Sequence, residues 1–393
     1  MRAYELLPTQ NRAVRAAQRA QDIASAEVSR VNVRPNPTVT GQISNTTANR
    51  YGYGDSDRIL RIDQLFERGN KRELRTASAQ AAERAARLDL ADALRQQRAA
   101  LASAYYDLAA AQQLVELARE NVAGYQRLLA AADRRLAAGD LATVDVSRLR
   151  VEASRTANDL RSAEAAQSQA QIVLAAVLGD EAAAPKLRAV DPLYTRDEIE
   201  KLAGEVNAAL VPAGAQAIDR RADVLAAGAR TDGAEQGTRL AESLRTRDWS
   251  LGLQTERSPS FGGSVLGISA SIPIFIYNDF SGDIARARAE LSAAREDAER
   301  TRAIVRSDID RAVAQLNSAR DRASRLLGAV VPDAAKVAQA IEFAFNKGAV
   351  SLTDLFDARR QLAAVRADAV AAQADFGKAY AAYRGAVTVE EIR

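Results

Sequence analysis

The sequence predicts a mostly α-helical chain with a small β part and an internal two-fold repeat. Three observations carry this. The first is composition: 86 of 393 residues are Ala, while aromatic residues make up 5%. Compact cores draw bulk from large apolar and aromatic side chains. Ala with Arg, Glu, Leu and Gln instead builds long helices that approach one another closely. The second is an uninterrupted stretch, with no Pro between Pro37 and Pro185 and no Gly from Asn70 to Ala123. Within it Leu94, Leu101, Tyr105, Leu108, Val115, Val122, Tyr125, Leu129 and Leu136 fall at coiled-coil spacing. The third is duplication. Phe66 and Phe275 each close a β-like segment, Gly139 and Gly348 each follow a long helix, and Asp145 and Asp354 come next, all 209 positions apart.

The elements follow in order. Residues 1–35 hold an N-terminal segment and a helix from about Gln10 to Val33. Residues 36–66 form a first β-hairpin, because period-two alternation on either side of an Asn-, Tyr- and Gly-rich loop reads as two strands. Residues 67–178 give a long helix from about Arg72 to Leu136, roughly 95 Å at 1.5 Å per residue. A turn at Gly139 and Asp140 then leads into a helix from about Val144 to Leu178. Residues 179–216, with three prolines, are a connector.

Residues 217–248 start the second half with a helix from about Ile218 to Arg247. Residues 249–275 form a second hairpin, in which Leu266, Ile268, Ala270, Ile272 and Ile274 share one face and Gly267, Ser269 and Ser271 the other. Residues 276–386 repeat the long helix (about Asp283 to Phe345), the Gly348 turn and a helix from Leu352 to Gly385; residues 387–393 are a tail. In each half two shorter helices together match one long helix, as in a wall of even height. Pro332 is expected to bend the second long helix.

The chain has no Cys and no His, which removes thiolate and imidazole chemistry and the usual transition-metal ligands. No catalytic constellation, cofactor site or metal site is expected, and the protein is not expected to be an enzyme. A net charge of +3 with interleaved signs describes solvated helix faces, not a nucleic-acid surface. Met1 leads straight into polar helical sequence, so an export signal is expected on the unmodified chain but absent from this one.

Arg34-Pro35-Asn36-Pro37-Thr38, Leu65-Phe66-Glu67-Arg68-Gly69, Pro273-Ile274-Phe275 and Gly348-Ala349-Val350-Ser351-Leu352-Thr353-Asp354-Leu355-Phe356-Asp357-Ala358-Arg359 stand in order and partly in duplicate. Together they resemble the TolC-like outer-membrane factors, the exit ducts of tripartite efflux pumps and type I secretion. The resemblance implies a homotrimer whose α-helical barrel continues into a 12-stranded β-barrel, four strands per protomer. It places the chain in the outer membrane of a Gram-negative bacterium, reaching into the periplasm. Its partners would be outer-membrane lipid, a periplasmic adaptor and an inner-membrane RND transporter. The stretch Pro273 to Ala289 looks most like the heavy-metal branch, which expels cobalt, nickel, zinc or cadmium.

By the same resemblance Leu266, Ile268, Ala270 and Ile272 face lipid. Gly139, Asp140, Gly348 and Val350 mark the tip turns where partners dock, and Asp354 and Asp357 ring the periplasmic constriction. Crowding in that ring would raise some of their pKa values. The residues themselves leave a second reading open, carboxylates capping a helix N-terminus, worth roughly 0.3–1 kcal/mol each. The sequence departs from the family at Gln64 and Ala222, where many relatives have Pro. Phe345 and Val350 stand where some relatives latch the closed tip with Tyr and Arg. The competing reading is a soluble or peripheral coiled-coil scaffold, which accounts for the heptads but not for the duplicated hairpins.

Overall fold

The computed structural model describes residues 2–45, 56–139, 141–258 and 262–387. The first half runs α1 (Arg2–Gln10), α2 (Arg12–Val31), β1 (Thr38–Asn45), β2 (Ser56–Phe66), α3 (Lys71–Ala137) and α4 (Thr143–Leu178). A 3-10 turn (Glu181–Lys186) and α5 (Arg196–Arg220) follow. The second half runs α6 (Ala222–Ser243), β3 (Trp249–Ser258), β4 (Gly263–Ser271), α7 (Ser281–Arg325), a π turn (Leu326–Val330), α8 (Val331–Asn346) and α9 (Leu352–Val387). Helix–hairpin–long helix–Gly turn–helix therefore occurs twice, and the four strands form one antiparallel sheet in the order β1-β2-β3-β4.

Several boundaries differ from expectation. The helix expected from Gln10 is two helices broken at Asn11. This buried side chain donates to Gln97 Oε1 (2.9 Å) and the Val177 carbonyl (2.7 Å), and its Oδ1 accepts from the Val14 N–H (3.0 Å). The connector 179–216 is largely helical, because Thr195 and Glu198 form a capping box that starts α5. Its helix runs to Arg220, and the next helix begins at Ala222 instead of Ile218. β4 stops at Ser271, so Ile272 and Phe275 lie beyond the strand; Pro273 has no N–H to extend the ladder. Around Pro332 the helix absorbs the missing donor through the π turn, in which the Val331 N–H bonds the Leu326 carbonyl.

The chain divides into two compact units. One comprises residues 1–17, 90–222 and 302–393. Its core includes Leu7, Leu101, Leu108, Leu174 and Leu178, and a second cluster holds Tyr125, Ala132, Val146, Leu149 and Phe356. α4 ends at Gly179, whose φ of 80° belongs to the left-handed cap. A Cβ there would lie 2.4 Å from the Gln10 carbonyl oxygen.

The other unit comprises residues 18–89 and 223–301 and contains the sheet. Its helices meet through small residues. Ser78 Oγ donates to the Gly233 carbonyl (3.2 Å), and Thr238 Oγ1 donates to the Ala287 carbonyl (3.2 Å). A Cβ on Gly233 would touch the Ala81 methyl at 3.4 Å, so the abundant small residues set the helix spacing.

Candidate functional site: a two-faced sheet and a pair of glycine turns

Register assigns the strand residues to two faces. Val39 opposes Ile62, Ile62 opposes Leu253 and Leu253 opposes Ile268. Leu60 opposes Thr255, which opposes Leu266, and Leu251 opposes Ala270. Residues directly opposite share a face, so all these apolar side chains crowd one side. Nothing among the described residues covers that side: Ile43 is 76% exposed, Leu266 71% and Ile268 76%. Ile272, expected on this face, is also exposed but follows the end of β4.

The other face carries Thr40, Arg61, Gln254 and Gly267 in one row and Thr38, Asp63, Gly252 and Ser269 in the next. A bare apolar face of this extent is unstable in water and marks a contact with lipid or protein. No helix among the described residues is long and apolar enough to cross a membrane.

Where the strands end, a clasp ties the hairpins to the helices. Lys71, in the first turn of α3, is buried; its Nζ lies 2.7 Å from Asp248 Oδ1 and donates to the Thr246 carbonyl at 2.8 Å. Asp248 Oδ1 also accepts from the Arg68 N–H (2.8 Å). Arg75 makes a two-pronged pair with Glu67 (2.9 and 3.2 Å), which raises the guanidinium pKa. Trp249, the first residue of β3, stacks on Phe66 with ring centroids 4.7 Å apart. Sequence reasoning missed the Lys71 clasp, because nothing distinguishes this Lys from those on solvated faces.

The two glycine turns lie at the same end of their unit, since Leu136, Leu141 and Leu352 all pack on the Tyr125–Phe356 cluster. Both glycines take the left-handed conformation, φ 84° at Gly139 and 75° at Gly348. At Gly348 the Ala349 N–H bonds the Ala344 carbonyl and the Gly348 N–H bonds that of Phe345, a complete Schellman cap. Val350 is partly buried just beyond it. Asp140, the fourth residue expected at the turns, lies outside the described residues. Beside the turns α3, α8 and α9 enclose a groove of about 790 Å³, bordered by Glu120, Arg127, Glu342, Arg359 and Arg366.

Asp354 has a defined task within the protomer. Its Oδ2 accepts from the Ser351 N–H (3.0 Å) and the Ser351 hydroxyl (2.6 Å), while Ser351 Oγ accepts from the Asp354 N–H (3.2 Å). These bonds hold its pKa below the usual carboxylate range. The Ser-x-x-Asp spacing is a capping box legible in the sequence. Asp357, one turn further on and exposed, pairs with Arg360. No group of carboxylates among the described residues is arranged to hold a metal ion.

Residues 3–180 and 213–387 match the outer membrane efflux protein family. The chain belongs to that family. It is an outer-membrane efflux duct that reaches into the periplasm. It is 26% identical over 365 residues to the cobalt-zinc-cadmium resistance protein CzcC of Cupriavidus metallidurans, covering 92% of this chain and 82% of that one. Among solved structures it superposes on a membrane protein from Pseudomonas aeruginosa with a TM-score of 0.83 at 17% identity, covering 98% of this chain and 93% of that one. It superposes on the CmeC outer membrane channel of Campylobacter jejuni with a TM-score of 0.82 at 13% identity, covering 98% and 84%. These likenesses establish the fold.

Proposed function

We propose that three copies of this chain close a twelve-stranded barrel in the outer membrane and serve a tripartite pump that expels heavy-metal cations. The observation that carries the proposal is the open sheet. Among the described residues β1 and β4 each leave an edge unpaired, and one face is apolar and bare. Backbone edges are not tolerated in lipid, so a spanning sheet must be closed by further copies. The apolar face meets lipid and the polar face lines the lumen.

At the glycine turns a periplasmic adaptor and an inner-membrane RND transporter dock, with the groove between α3, α8 and α9 as the adjoining contact surface. Three copies bring Asp354 and Asp357 into two rings of carboxylates that favour cations. Capping by Ser351 keeps Asp354 ionised, so its structural task and its electrostatic one are compatible.

Metal cargo is supported by the relationship to a cobalt-zinc-cadmium resistance protein. The absence of Cys and His agrees with a duct that must release what it passes. The experiment is deletion of the gene in its host. Sensitivity to cobalt, zinc or cadmium should rise and be restored by the wild-type chain. Unchanged metal tolerance with new sensitivity to organic drugs would overturn the cargo assignment.

A further inference from the structure

We propose that Arg61 is a concealed selectivity determinant of the outer duct, strapped flat against the barrel wall by Asp63 over a floor left open by Gly252. The proposal rests on the reading that the polar face of the sheet lines the lumen.

Arg61 and Asp63 stand two apart on β2 and therefore on the same face. Arg61 Nε lies 2.9 Å from Asp63 Oδ1 and 2.7 Å from Oδ2, so the guanidinium is drawn back along its own strand. Gly252 sits beside Asp63 on β3, and Ser269 lies across from Gly252 on β4. A Cβ at position 252 would fall 2.4 Å from Asp63 Oδ1, 2.5 Å from Ser269 Oγ and 3.2 Å from Arg61 Nε. Polar atoms from three side chains thus occupy the volume that any other residue would fill.

Ser269 Oγ is buried there with no hydrogen-bond partner among the described residues, so no bond of its own to them holds it in place. The next row repeats the device. A Cβ on Gly267 would meet Gln254 Cγ at 3.1 Å and Nε2 at 3.3 Å, so Gln254 also lies flat. Glycine weakens a strand interior and often marks a close approach, and here two face the same side of the sheet under prostrate polar side chains.

Stability does not explain the pair, because a partly exposed ion pair contributes little. Its effect is on the lumen. Strapped down, each guanidinium is neutralised and kept out of the bore. Released, three of them would project inward and repel the cations that the duct admits.

Gly252→Ala changes no charge, yet its methyl must lift Asp63 and Arg61 off the wall. Asp63→Asn weakens the strap without adding bulk, which keeps the test open if Gly252→Ala fails to assemble. Each variant should shift the reversal potential in a salt gradient toward anions, with roughly a twofold change in permeability ratio. Adding Arg61→Ala should abolish the shift.

Because the chain has no cysteine, Gln254→Cys reports separately on the lumen. A small charged thiol reagent should alter the current through that variant. A current altered by the reagent, with no shift in either strap variant, overturns the strap and leaves the lumen assignment standing. A current indifferent to the reagent overturns both.

Discussion

Gly179→Ala should destabilise the protein by roughly 2–5 kcal/mol, from a strained positive φ and a forced backbone contact together. The contact is with the Gln10 carbonyl oxygen, 2.4 Å from the new methyl, at the point where α1 gives way to α2. Neither partner is a flexible side chain, so the clash is relieved only by moving α4 away from the Asn11 junction. Asn11 would then lose its bond to the Val177 carbonyl. Gly139→Ala supplies the comparison: its φ of 84° is as strained, yet no described residue beyond its chain neighbours lies within 4 Å of the added methyl. The heat-unfolding midpoint of the purified assembly should fall much further for Gly179→Ala. Equal losses would show that conformation alone, and not the contact, decides.

Lys71→Met should cost about 3–5 kcal/mol, the usual penalty for removing one partner of a buried ion pair. The variant leaves the Asp248 carboxylate and the Thr246 carbonyl without their shared ammonium donor at the base of the second hairpin. Lys71→Met with Asp248→Asn should recover part of the loss, because an amide tolerates the vacated site better than a carboxylate does. Hydrogen exchange over residues 244–249 should accelerate in the single variant and slow again in the double one. Unchanged exchange and stability in Lys71→Met would mean that the ammonium merely rests there.

The fold was legible wherever it depended on local pattern. Alternation revealed the four strands, and positive-φ glycines at a fixed offset revealed the repeat, because the physical requirement at each place is met by one residue type. What escaped was set by distant neighbours. Asn11 breaks a helix only because Gln97 and the Val177 carbonyl reach it. The Lys71 clasp depends on residues that follow α6. Gly252 reads as an ordinary small residue until the register sets Asp63 and Ser269 beside it.

The strand that ended early was a different kind of miss. Apolar alternation continues through Ile272 and Ile274, but Pro273 withdraws the donor that the ladder needs. At the turns, the helix-cap reading of Asp354 is the one its Ser-x-x-Asp spacing carries, and Ser351 and Asp354 form that box.

Planar-bilayer recording of the purified, detergent-solubilised protein tests the central claim most directly. A trimeric duct predicts discrete, long-lived conductance steps with a cation preference, and block by added trivalent cation. Both preference and block should weaken in Asp354→Ala with Asp357→Ala while the trimer persists. A protein that remains soluble without detergent and leaves the bilayer silent would contradict the account and return the chain to a coiled-coil scaffold.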